Sequence, residues 1–86
     1  MKGGHLVRYL IGNEGLVATV TTKPSVLGTS FVFKDVSVQK GDGQPLTRNM
    51  WTSFEALFAD LKLKLDGDGT LHAFQNGVEL PVIKQN

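Results

Sequence analysis

Cysteine is absent from this chain, so disulfides and cysteine-based zinc sites are excluded. Histidine is scarce, with only His5 and His72. A protein metal centre usually draws on three or four ligands, often at close spacing such as H-x-x-x-H, and no such set is present. Neither a metal nor another cofactor is expected. An excess of charge of one sign is also missing: nine basic and eight acidic residues leave a net charge of +1. That balance argues against the phosphate backbone of a nucleic acid or an anionic membrane as the main partner. No apolar run approaches the roughly 18 residues that span a bilayer. Arg8 interrupts Leu6–Ile11 and Gly12-Asn13-Glu14-Gly15 ends it, too short a stretch for the apolar core of a signal peptide. The expectation is a soluble, cytoplasmic protein without a membrane partner.

Eighty-six residues are expected to form one domain, 1–86. A chain of this size buries roughly 60–65% of its unfolded surface, enough to fold with little margin. Two hairpins are legible with their registers. Leu6–Ile11 and Leu16–Thr22 flank Gly12-Asn13-Glu14-Gly15, whose glycines and asparagine tolerate the positive φ of tight turns. Pairing Ile11 with Leu16, Tyr9 with Ala18 and Val7 with Val20 collects one apolar face; a one-residue slip would mix the two faces. The opposite face carries Leu6, Arg8, Leu10, Val17, Thr19 and Thr21. In the second hairpin Asn76-Gly77 is a strong type I′ turn signal. It pairs Gln75 with Val78, Ala73 with Leu80 and Leu71 with Val82. His72, Phe74, Glu79, Pro81 and Ile83 then lie on the reverse side, and Pro81 marks an edge strand. Between these hairpins, Ser30–Lys40 alternates with a change of phase at Lys34-Asp35: either a β-bulge switches the faces, the favoured reading, or Phe31 and Phe33 lie on the reverse side.

One segment reads as helical. Thr52 and Glu55 have capping-box spacing, and Phe54, Leu57, Phe58, Leu61 and Leu65 follow at i, i+3, i+4, i+7 and i+11. The pattern predicts a helix over about Ser53–Leu65. The fold class expected is therefore α+β: an antiparallel sheet of about five strands, in the order β-β-β-α-β-β, with the helix on one face. Trp51 either packs at the helix start beside Ala56 or joins Arg48 and Met50 as an interface anchor.

Catalytic chemistry finds little support. There is no G-x-S-x-G elbow and no serine beside a histidine in a recognised motif. Lys64–Leu71 resembles the middle of a calcium loop, with Asp66, Asp68 and Gly69 at matching positions. Lys64 stands where the first aspartate is needed and Gln75 where the bidentate glutamate is needed, so a helix C-cap and turn explain it better. His72 reads as a surface histidine. What remains is a surface: one helix cannot cover both faces of the sheet. The residues expected to bind are Leu6, Arg8, Leu10, Val17, Thr19, His72, Phe74 and Ile83 on the open face, with Arg48 and Trp51 in the loop before the helix. The function expected is a small non-catalytic protein-binding or regulatory module, acting on a protein partner or by self-association. A nucleic-acid binder is the alternative, stacking bases on Phe74 and Tyr9 with Arg8, Lys23 and Lys34 on phosphates. A small enzyme ranks third.

Overall fold

The alternation Leu61-Lys62-Leu63-Lys64-Leu65 decides the architecture, because it has the period of a strand with one buried face. The computed structural model describes residues 5–85, and regular structure among them is β throughout. Nine strands follow in chain order: β1 (His5–Ile11), β2 (Leu16–Pro24), β3 (Phe31–Gln39), β4 (Arg48–Trp51), β5 (Glu55–Phe58), β6 (Leu61–Leu65), β7 (Leu71–Gln75), β8 (Val78–Leu80) and β9 (Val82–Lys84). They form two antiparallel sheets, β3-β2-β1-β9 and β4-β5-β6-β7-β8. The expected α+β fold is thus corrected to an all-β one.

The helix expected over 53–65 is replaced by the β5–β6 hairpin and the turn that leads into it from β4. Ala56 and Phe58 point inward from β5; the two-residue turn Ala59-Asp60 pairs Phe58 with Leu61, so inward parity resumes with Leu61, Leu63 and Leu65. Three members of the helical stripe are core residues for this different reason. Leu63, which the stripe omits, is fully buried, whereas Phe54 is exposed in a loop. The capping chemistry is half real. Thr52 Oγ1 accepts from the Glu55 N–H at 2.9 Å and the Phe54 N–H at 3.3 Å, yet it serves the β4–β5 turn, where the Thr52 N–H donates to the Glu55 carbonyl at 2.7 Å. Side-chain bonds of this kind stabilise turns as readily as helix starts. The Glu55 carboxylate, instead of closing the box, pairs with Lys62 at 3.6 Å.

The first hairpin has the register expected, from Ile11↔Leu16 to Val7↔Val20. β2 and β3 pair through a bulge: Thr21 opposes Asp35 while Thr22 opposes Phe33, leaving Lys34 as the extra residue. The bulge lets Phe33, Val36 and Val38 all face inward despite their mixed parity. In the last hairpin Gln75↔Val78 and Ala73↔Leu80 form, but Leu71 does not meet Val82. Pro81 has no N–H for the ladder, and there the chain leaves one sheet for the other, so that Val82 pairs with Ile11 and Ile83 with Leu10. The Pro81 carbonyl accepts from the Gly12 N–H at 2.9 Å.

Within each sheet the strands pair with their neighbours in sequence, except that β9 returns to β1. On the opposite side the sheets are tied by the Leu46 N–H to Val38, the Phe33 N–H to Ser53 and the Phe31 N–H to Gly67, each at 2.9 Å. The result is a flattened up-and-down meander close to a barrel, a solution that leaves few free strand edges. Its interior is filled by Ile11, Ala18, Val20, Phe33, Val36 and Val38 from the first sheet. Ala56, Phe58, Leu61, Leu63, Leu65, Leu71 and Ala73 from the second meet them in one cluster. A barrel of about eight strands is just wide enough for side chains to fill, so the inside is core and function must lie outside.

Candidate functional site

Because two sheets wrap around one core, outward residues of the two sheets point in opposite directions. The open face expected from sequence therefore divides into two, and the loop expected before the helix gives a third place. Leu6, Arg8, Leu10, Val17, Thr19 and Ile83 do come together, on the outer face of β3-β2-β1-β9. Leu10 on β1 lies between Val17 on β2 and Ile83 on β9, which gives an apolar row across three strands. Leu6, further along β1, is 63% exposed and Ile83 is 55% exposed. Arg8 and Thr19 are directly paired beside the row.

His72 and Phe74 occupy the outer face of the other sheet, opposite Lys64 and Lys62 of β6. His72 Nε2 lies 2.8 Å from Asp66 Oδ2, and Nδ1 lies 3.1 Å from Glu79 Oε2. Two carboxylates on the two ring nitrogens favour the imidazolium, in which both nitrogens donate. Hydrogen bonding first to Glu79 and then to Asp66 raises the His72 pKa above its ordinary 6.5. The His72 ring ties the β6–β7 loop to β8. The loop is a hairpin connection and not a helix C-cap: the Asp66 N–H donates to the Thr70 carbonyl at 2.9 Å, and the Gly69 N–H donates to that of Asp66. The Thr70 backbone N–H, 3.0 Å from Asp68 Oδ1, holds the Asp68 carboxyl below its usual value, and the Thr70 side chain adds to the effect.

Arg48 and Trp51 form the third place, on β4. Trp51 is half-buried opposite Ala56 and tilts at 43° against Phe33, with ring centroids 5.8 Å apart. The Arg48 guanidinium sits 4.7 Å from the Trp51 ring centroid, a cation–π contact. The expected packing of Trp51 beside Ala56 is realised across a strand pair, with no helix involved. The stacking set drawn up for a nucleic acid does not share a surface. Tyr9 faces inward, where burial raises its phenol pKa, while Arg8 and Phe74 lie on opposite sheets.

One further feature lies outside the expected binding surfaces. Val26 and Leu27, in the β2–β3 loop, are 104% and 85% exposed. Two aliphatic residues between Ser25 and Gly28, in a stretch of loop formers with no strand to join, were the available signal. Among the described residues no group of three or more His, Cys, Asp or Glu side chains could hold a metal ion, and no helix is long and apolar enough to cross a membrane. Comparison of the chain with family models, with curated proteins and with solved structures finds no match.

Proposed function

We propose that this chain is a non-catalytic protein-binding module that meets its partner through the outer face of the β3-β2-β1-β9 sheet. The observation that carries the reading is the apolar row Val17, Leu10 and Ile83, extended by Leu6. Folding does not call for it, since the opposite side of the same strands already supplies the core. Strands about 4.8 Å apart and seven residues long at about 3.3 Å each give a face of roughly 400 Å². Both partners together would bury on the order of 800 Å², below the roughly 1,200–2,000 Å² of stable complexes. The contact is therefore a transient one, suited to a small regulator or inhibitor. What supports a non-catalytic role is that both nitrogens of His72 are already occupied by the carboxylates of Glu79 and Asp66.

A photo-crosslinking residue at Thr19, read out in the native host, tests this reading. The crosslinked protein should disappear for the Leu10→Lys/Val17→Lys variant while thermal unfolding stays nearly unchanged. Surface changes away from special features usually shift stability by about 0.5 kcal/mol or less. Unfolding of the double variant would mean that the face is core, and the reading fails. Capture of nucleic acid that weakens steeply with salt would replace it with the alternative partner class.

A further inference from the structure

The two ends of the meander are chemically unlike. One end carries Asn13, Glu14, Lys40, Asp42, Gln44, Asp60 and Asn76, with the backbones of Gly15 and Gly41 close together. At the other end the loop over 25–30 is held against the loop over 66–70, where the Phe31 N–H donates to Gly67 and a Cβ on Gly69 would lie 3.6 Å from the Phe31 ring. Here Val26 and Leu27 project, with Phe31 and Phe54 also exposed. The projecting turn is closed by its own backbone, the Ser25 N–H donating to Ser30 at 2.7 Å and the Gly28 N–H to Ser25 at 2.9 Å. Gly28 takes a φ of +74° that few other residues adopt readily. The tip thus presents two aliphatic side chains on a preformed support, which lowers the ordering entropy of any contact they make.

The same chain carries a hollow to receive them. Above the Pro81 crossover, β8 has stopped pairing with β7 and β9 has begun pairing with β1, so the seam between the sheets opens. The opening is a hollow of about 450 Å³, with Leu71, Leu80, Pro81 and Val82 as its apolar wall and His72 and Glu79 at its lip. Glu79 meets His72 through Oε2, leaving Oε1 for an incoming cation. Lys23, exposed at the base of the projecting hairpin, supplies one. We propose that the Val26–Leu27 tip of one copy seats in the Leu71–Val82 seam of a second copy, with Lys23 against Glu79. If exchanged reciprocally the contact closes as a dimer; made in one direction it continues into a ring or chain.

The absence of cysteine makes the test specific by position. A nitroxide on Thr29→Cys, mixed with isotope-labelled natural-sequence protein, should broaden the amides of Leu71, Leu80 and Val82 between molecules. Sedimentation should show mass rising with concentration, and Leu27→Asp should weaken the association at least about thirty-fold. Leu27 is 85% exposed, so that variant retains the fold. A wild-type protein that stays monomeric up to about millimolar concentration overturns the proposal. So does broadening centred on Leu10, Val17 and Ile83, which would assign self-association to the outer sheet face instead. A monomer that binds phosphatidylcholine vesicles through Leu27 overturns it in favour of a lipid surface. A monomeric protein leaves the crosslink from Thr19 standing, and loss of that crosslink leaves the tip-in-seam contact standing, so this proposal and the protein-partner reading fail separately; broadening on the outer face would instead make a second copy the partner of that face.

Discussion

Leu63 gives the sharpest test of the fold. On a helix over 53–65 it lies off the stripe of Phe54, Leu57, Phe58, Leu61 and Leu65; in the structure it is fully buried at the centre of β6, paired with Ala73 on one side and Ala56 on the other. Both neighbours are already the smallest side chains that keep a Cβ, so the pocket left by Leu63→Ala has no flexible long chain in the adjoining pairs to collapse into it. That places the loss in the upper part of the about 2–5 kcal/mol range for such truncations. The whole domain holds roughly 4–13 kcal/mol at about 0.05–0.15 kcal/mol per residue. A loss near 4 kcal/mol therefore takes a large share, and at about 4–8 °C per kcal/mol it lowers Tm by some tens of degrees. Leu57→Ala is the control: Leu57 is half-buried on the outer face of β5, and its truncation should stay below about 1.5 kcal/mol. Urea unfolding followed by far-ultraviolet circular dichroism measures both. A Leu63→Ala loss under about 0.5 kcal/mol, or a larger one at Leu57 than at Leu63, would refute the two-sheet core.

Ala59 sits in the β5–β6 turn at a φ of 53°, a conformation that an alanine adopts at about 1–2 kcal/mol. Glycine removes that strain but loses about 0.4–1 kcal/mol through its freer unfolded chain, so Ala59→Gly should stabilise by about 0.5–1 kcal/mol in urea titration. A clear loss of stability would show that the turn is not strained. For His72, the folded pKa lies above the unfolded value, so its contribution is fully present below about pH 6.5 and fades as pH rises through the folded pKa. The stability gap between the natural protein and His72→Gln should accordingly be larger at pH 5.5 than at pH 8.5. An NMR titration placing the His72 pKa below 6.5 would contradict the carboxylate contacts.

Hairpins whose turn chemistry and alternation agree were readable from sequence. Gly12-Asn13-Glu14-Gly15 fixes which residues oppose each other, and only the observed register keeps Val7, Ile11, Ala18 and Val20 on one side. The phase change at Lys34-Asp35 located the bulge for the same reason. The segment from Trp51 to Leu65 misled because local signals serve two structures. A threonine accepting from an amide three residues on suits a tight turn as well as a helix start. The turn at Ala59-Asp60, with no glycine or asparagine, hid the break between strands, and Leu61 and Leu65 satisfy both a helical and an alternating pattern. Leu63 was the residue that could decide, and the helical reading skipped it. Reading β5 and β6 as one helix then placed Leu10 and Phe74 on one open face when they lie on opposite sides of the molecule. Val26 and Leu27 stand out in the sequence as apolar residues among loop formers but suggest no role there: a loop aliphatic carries no periodicity, and its exposure depends on what the rest of the chain leaves uncovered.

The return of β9 to β1 has a kinetic consequence. The pairs Ile11↔Val82, Leu10↔Ile83 and Tyr9↔Lys84 join residues more than seventy positions apart, whereas every other strand pair joins neighbours in the chain. Local hairpins form in about 1–10 μs, but a contact at such separation must first overcome the entropy of closing the intervening loop. Circularisation is thus the late step of folding. Until residues 82–84 have been synthesised, the free edge of β1 remains open to pairing with another chain. During translation the nascent protein holds eight strands in order while one template edge waits for its last partner, and that interval is when it is most exposed to misassembly.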